Sequence, residues 1–263
     1  MKTRIKFTKS GPLKFIGHLD VMRYFQKAFR RADIDVEYSK GFNPHQLMSF
    51  AAPLGVGLTS DGEYLDLQLK TCDKPEIMID KINKAMAEDI QVVGFKMLPD
   101  ESKNAMSIVS AADYMVSVKD GYEFMNMEDF KQKFQEFFNR ESIVILKKSK
   151  KSEKEVDIKP SIYHIGFDRE EFYQNIWQSF SSNKKSVADG SVADAYVNGV
   201  KVYMQVATGS ANNLKPELVM EAFCQYAGIE YNEFAFQVHR MEVYADISTD
   251  DTRQLIALDQ TND

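Results

Sequence analysis

The sequence predicts an α+β protein of two similar lobes, and three observations carry that expectation. Short runs in which apolar and polar residues alternate, as at Thr3–Thr8 and Glu63–Leu69, recur along the chain and read as strands with one side on a core. Between them lie stretches whose apolar residues return at helical spacing, clearest over His18–Ala32 and Met127–Asn139. Placed side by side, residues 3–98 and 112–245 give the same order, βαβββαβ, without a residue-level repeat. Two crossovers of that kind pack helices on one face of a mostly antiparallel sheet, so the expected architecture is two tandem ferredoxin-like lobes.

Taken in order, Thr3–Thr8 puts Ile5 and Phe7 on one face and Arg4 and Lys6 on the other, and Ser10-Gly11-Pro12 ends the strand. In the helix that follows, Leu19, Met22, Phe25, Phe29 and Ala32 form the apolar stripe, while Arg23, Lys27, Arg30 and Arg31 fall on other faces. Asp35–Tyr38 reads as a short strand, Gly41–Pro44 as a turn and Leu47–Ala52 as a return to the sheet. A glycine-bearing loop over 53–62 precedes the Glu63–Leu69 strand. Pro75 then opens a helix striped by Ile79, Ile82 and Met86, and Gln91–Met97 closes the lobe.

Residues 99–110 have the composition of a connector. The second lobe, 111–245, reads as a strand at Ala112–Lys119, the Met127–Asn139 helix, an apolar run at Ser142–Lys147 and a charged hairpin tip over 148–154. Alternation resumes over Glu155–Phe167 and Val200–Ala207, a helix follows behind Pro216, and Phe234–Tyr244 is the last strand. An insertion over 169–198 begins amphipathic, with Phe172, Ile176, Trp177 and Phe180, and continues as a flexible-looking loop. These aromatics either cover their own sheet or form a partner site. The tail, 246–263, is polar and acidic and is expected to fray.

A chain of 263 residues, 44% hydrophobic and 27% charged, is long enough for one large domain or two smaller ones. Its net charge of -6 gives no overall case for nucleic acid, but the charge is uneven. Residues 1–50 carry ten Lys or Arg against four acids, and residues 201–263 carry four against ten. Two distant cysteines, Cys72 and Cys224, give no zinc, iron–sulfur or disulfide spacing and fit a reducing compartment. With neither a secretory signal pattern nor a run approaching the roughly 18 apolar residues a span needs, a cytoplasmic protein is expected.

The chemistry concentrates between Phe15 and Phe50. His18 stands at the start of the basic helix, where free N–H groups and the helix dipole favour an anion, and it serves there either as a phosphate contact or general acid, or simply within the cap. Arg23, Lys27, Arg30 and Arg31 suit a phosphate backbone, and Phe42 with Asn43 in the turn suits RNA, with Tyr24, Tyr38 and Phe42 as stacking faces. The candidate pocket comprises His18, Asp20, Tyr38, Ser39, Asn43, His45 and Ser49, and the candidate catalytic groups are His18, Tyr38 and His45. No metal and no cofactor is expected, because His18 and His45 lack a third ligand and neither GxxxxGK[ST] nor a strand-following GxGxxG occurs. GxSxG, HExxH and the kinase motifs are missing too, and His164 and His239 read as packing or polar-network histidines.

His18-Leu19-Asp20, Arg23, Tyr38-Ser39, Gly41-Phe42-Asn43-Pro44-His45, Ser49-Phe50 and Gly62-Glu63-Tyr64-Leu65-Asp66 together resemble an uncharacterised bacterial family of radical-SAM-linked proteins. Weaker matches follow at Val156–Pro160, Leu214-Lys215-Pro216 and Val238-His239-Arg240. The sequence departs from the pattern at Gln46 and Leu47, where proline and a basic residue are expected, and in a longer insertion over 169–198. The resemblance implies a radical SAM enzyme as partner, and the N-terminal half is similar in element order to RNA-binding ferredoxin-like proteins of the repeat-associated kind. The chain lacks the CxxxCxxC that holds the cluster, so it is not itself that catalyst. The leading expectation is a non-catalytic accessory that binds RNA or presents a substrate. The alternatives are a metal-independent ribonuclease using His18 and a protein-interaction subunit using Trp177 and its neighbours.

Overall fold

The computed structural model of the chain describes residues 1–148, 153–179, 196–249 and 254–261, and its fold is mixed α+β around a mostly antiparallel sheet. The first half contributes β1 (Lys2–Lys9), α1 (His18–Arg31), β2 (Met48–Phe50), β3 (Thr59–Gln68), α2 (Pro75–Lys84) and β4 (Val92–Leu98). A four-residue helix, α3 (Ala105–Ile108), leads into β5 (Val109–Val118), α4 (Met127–Phe138), β6 (Val144–Lys148), β7 (Glu153–Asp157) and β8 (Ile162–Gly166). Then come α5 (Arg169–Ser179), β9 (Lys201–Ala207), α6 (Pro216–Ala227), β10 (Phe236–Asp246) and β11 (Leu255–Ala257).

The strands lie in the order β4-β1-β3-β10-β5-β9-β8, with β2 beside β3 and β11 beside β10. Every pairing is antiparallel except the seam between the halves, where β3 and β10 run parallel over Thr59↔His239 and Ser60↔Arg240. That seam needs a glycine. A Cβ on Gly62 would stand 2.8 Å from the Met241 carbonyl oxygen, where β10 bulges between Arg240 and Glu242.

Each half buries its helices on the sheet, through stripes that match those read from the sequence only in part: in α1 Val21 is buried and Leu19 exposed, and in α2 Met78 is buried with Ile82 while Ile79 is only partly covered. Val21, Phe25 and Phe29 of α1 and Met78 and Ile82 of α2 meet Ile5, Phe7, Leu65 and Leu67. In the second half Phe223 of α6 sits among Phe130, Phe134 and Phe137 of α4, with ring centroids 5.2, 4.7 and 5.7 Å away. Asn126 caps α4 by accepting from the Asp129 N–H, and Gly228, at φ 70°, ends α6 in the left-handed conformation.

Four expectations change. Arg4 and Lys6, read as the solvent side of β1, are buried, because the reverse face of the sheet is covered too. Asp35–Tyr38 forms only isolated bridges, Val36 with Leu69 and Tyr38 with Gln46. The run Glu155–Phe167 is two strands, since a 3-10 turn at Lys159–Ser161 carrying Pro160 sends β7 to pair with β6 and β8 to pair with β9. Over 254–261 the tail does not fray: β11 pairs with β10 and Leu258 is fully buried.

Within the insertion, Phe172 and Tyr173 pack on Met115, Tyr203 and Met241, so the described start of α5 covers the reverse face of its own sheet. The side chains of Ile176 and Trp177, together with Phe180 and the loop over 180–195, lie outside the described residues.

Candidate functional site

Charged side chains from both halves meet at the seam, out of water. Arg240 of β10 donates from Nε to Glu63 Oε1 at 2.8 Å and from a terminal nitrogen to the Ala52 carbonyl at 2.5 Å. Burial pushes its guanidinium pKa down, but the Glu63 carboxylate and the Tyr114 hydroxyl outweigh burial and hold it above its ordinary value. Beside them Lys9 is buried, which lowers its pKa against the pull of Glu63. On the reverse face Lys6 bonds Glu242 at 2.5 Å, and Tyr64 donates to the same carboxylate at 2.7 Å. Burial raises the Glu242 pKa against the effect of Lys6; Lys6 itself is held up, despite its burial, by Glu242 and Asp259.

His239 lies between Thr59 Oγ1, 2.9 Å from Nδ1, and Asp61 Oδ2, 3.0 Å from Nε2. The second contact is electrostatic, without hydrogen-bond alignment, and all three residues are buried away from any opening. His239 therefore pins β10 to β3. His164, the other histidine read as packing, lies against Phe172 with ring centroids 5.2 Å apart, and burial lowers its pKa.

Above this seam, on the helix side, opens a cavity of about 550 Å³. Both halves build it. The first supplies His18 and the loop over 51–58; the second supplies Met106, Tyr114, Arg240 and the stretch over 208–217 that ends at the start of α6. His18 is set edge-on to Phe50, with ring centroids 5.1 Å apart, and its nitrogens have no hydrogen-bond partner among the described residues. A smaller cavity, shared with His18, Pro53 and Leu54, runs down toward Lys9 and Glu63.

The Gly41–His45 turn lies elsewhere. Ser39 and His45 close it with three bonds: Ser39 N–H to the His45 carbonyl at 2.8 Å, His45 N–H to Ser39 Oγ at 3.1 Å, and Ser39 Oγ with His45 Nδ1 at 2.9 Å. Gln46 Nε2 then donates to Tyr38 Oη at 3.2 Å and to the Gln26 carbonyl of α1 at 3.4 Å, so the turn leans on the middle of the helix. Phe42 at its tip is fully exposed. Arg23, Lys27, Arg30 and Arg31 are all exposed along the outside of α1, with Arg23 paired to Asp20 at 3.1 Å and Arg31 donating to the Ala85 carbonyl at 2.6 Å.

The expected single pocket thus resolves into two places. Of its members His18 lines the cavity; Tyr38, Ser39, Asn43 and His45 belong to the turn, Asp20 faces outward with Arg23, and Ser49 lies in β2 opposite Asp66. The physical reason is that the turn precedes β2 and the cavity loop follows it. On α1 the two places are His18 and Gln26, eight residues or about 12 Å apart along the axis. Reasoning from the sequence passed over Arg240, Tyr114 and Lys215 as site residues. A charged side chain amid the apolar alternation of β10 was the available signal for Arg240, and Lys215 and Arg240 both lie in stretches that carry the weaker part of the resemblance.

Among the described residues no group of three or more His, Cys, Asp or Glu is placed to hold a metal ion, and no helix is long and apolar enough to cross a membrane. No curated protein matches the sequence. A family profile does, over residues 2–216, which takes in α1, the turn, β1 to β9 and the cavity wall as far as the first residue of α6. The chain therefore belongs to the family described as uncharacterized proteins conserved in bacteria, DUF2344.

Proposed function

We propose that this protein is a non-catalytic, RNA-binding accessory, working in the cytoplasm and presenting RNA to a radical SAM enzyme. The observation that carries the RNA reading is the Gln46 bridge to Tyr38 and to the Gln26 carbonyl, which rests the turn with its exposed Phe42 on the middle of α1, the helix whose outside bears the exposed Arg23, Lys27 and Arg30. Cations spaced along a helix neutralise successive phosphates, while an aromatic ring at a rigid turn offers a face for an unpaired base. The net charge of -6 does not oppose this, because residues 1–50, which carry α1 and the turn, hold ten Lys or Arg against four acids. The radical SAM partner rests on the motif resemblance alone. In each half the strand order, β4-β1-β3-β2 and β10-β5-β9-β8, supports the finer reading of two ferredoxin-like units sharing one sheet.

The test is filter binding of a single-stranded RNA at 50 and 200 mM salt. Wild type is expected to bind with a steep salt dependence. Arg23→Ala with Arg30→Ala should lower affinity at least tenfold and flatten the log–log salt slope by about 1.5, and Phe42→Ala should lower affinity roughly 5- to 100-fold with the slope kept. Absence of binding, or binding indifferent to all three substitutions, overturns the reading.

A further inference from the structure

We propose that the cavity at the seam is the seat for a terminal, unpaired nucleotide of the RNA, an inference that rests on the RNA-binding reading and names the part of the strand that enters the protein. Its volume, about 550 Å³, falls within the range of small-ligand sites, and its walls combine apolar surface with a few polar groups in the manner of such sites. Pro53, Leu54, Val56 and Met106 supply apolar surface for the faces of a base.

His18 and Lys215, which come from opposite halves, have no hydrogen-bond or ion-pair partner for their side chains among the described residues, nor do Ser210, Asn213 and Glu217 on the same wall. Arg240 is different: its charge is held by Glu63 and by the Ala52 carbonyl, so it fixes the floor, and Lys215 is the free cation of the wall among the described residues. Glu217, the second residue of α6, is an acceptor for a sugar hydroxyl or an exocyclic amine. Both helices begin at the cavity without a side-chain cap, α1 at His18 and α6 at Pro216, so their dipoles add to the preference for a phosphate between His18 and Lys215.

The link to the strand is α1 itself. His18 is its first residue, and Arg23, Lys27 and Arg30 follow along the same helix toward the Phe42 turn. That row lies about 120–180° around the helix from His18, so a strand along it turns over the N-terminal end of α1 to bring its last nucleotide into the cavity, and a circle has no such end to offer.

Fluorescence anisotropy with a labelled single-stranded RNA 12-mer carrying a free 5′-phosphate, and with a circular RNA of the same sequence, tests this, with competition by unlabelled nucleoside monophosphates. Met106→Trp fills the cavity from its exposed rim, and His18→Ala with Lys215→Ala removes the imidazole and the free cation; an unchanged far-UV spectrum and melting temperature establish that each variant folds. Wild type is expected to prefer the linear RNA at least tenfold and to be competed by the monophosphates, and both cavity variants should lose the preference while still binding the circle. Equal affinity of wild type for line and circle, or a preference untouched by both variants, overturns the inference while leaving RNA binding intact. Loss of all RNA binding in wild type overturns the underlying reading instead.

Discussion

Asp113, in the middle of β5, accepts a 2.6 Å hydrogen bond from Tyr244 Oη and a 2.9 Å bond from Gln205 Nε2, and no cation is bonded to it among the described residues. Burial therefore dominates and pushes its carboxyl up to about 7, with Glu242 adding to the rise and the two hydrogen bonds opposing it. Tyr244, Tyr173, Gln205 and Glu242 surround it, and none supplies a positive charge. The unfolded chain releases this proton near 3.8, the folded chain near 7, so between those values the folded state binds more protons. Its stabilising share is complete below about pH 4 and is lost as pH rises to 7. Asp113→Asn removes the titration at little steric cost: the Gln205 carbonyl oxygen lacks a partner, and a flipped Gln205 amide accepts from the new Asn N–H. From urea midpoints, the stability of the variant relative to wild type should rise by about 2–3 kcal/mol between pH 5 and pH 8. Parallel pH profiles would show that the carboxyl does not titrate in that window.

At the scale of elements, β11 with residues 258–261 is a strap over the reverse face. Arg4 explains why it docks. Its guanidinium forms a bidentate pair with Asp66, at 2.8 and 3.2 Å, and gives its remaining donors to the Leu258 carbonyl at 3.0 Å, Thr261 Oγ1 at 2.8 Å and the Lys103 carbonyl at 3.2 Å. Truncation after residue 249 strips two of those acceptors from a fully buried cation and removes the buried Leu255, Ala257 and Leu258 from the reverse face. The expected loss is roughly 3–5 kcal/mol, the scale of breaking a buried charge arrangement from one side. Calorimetry reads it directly, and a melting temperature within a degree of wild type would mean that the strap adds nothing. Here the limits of sequence reading have a physical cause. α1 was legible because helical periodicity is local, although of the stripe read from the sequence Phe25 and Phe29 are buried while Leu19 is exposed and Val21 takes its place, and the mixed α+β character was legible because alternation is local too. The buried role of Arg4 was not, since its partners stand 62, 99, 254 and 257 residues away, and Leu-Ile-Ala-Leu at 255–258 is diluted by the polar residues around it. For the same reason the cavity beside His18 was not legible: more than half of its lining residues lie past residue 100.

For the whole molecule the question is whether the halves are independent domains. The parallel pairing of β3 with β10 is only two residues long, yet side chains cross it at Lys6–Glu242, Tyr64–Glu242, Glu63–Arg240 and Thr59–His239. Charges this deeply buried are stable only with their partners, so opening the seam costs more than two backbone pairings imply. The chain is therefore expected to unfold as one unit. Hydrogen exchange followed by mass spectrometry in rising urea should give peptides from β1 and β4 the same opening free energy as peptides from β5 and β9. Arg240→Met, which takes from the buried Glu63 its hydrogen-bonded cation and leaves only the nearby Lys9, should lower both sets equally by about 3–5 kcal/mol, and adding Glu63→Gln should restore part of that loss, because the stranded charge is then gone. If instead β1 and β4 open at lower urea than β5 and β9, and Arg240→Met touches only one half, the seam is a contact between separate domains, and the cavity it floors changes shape as they move.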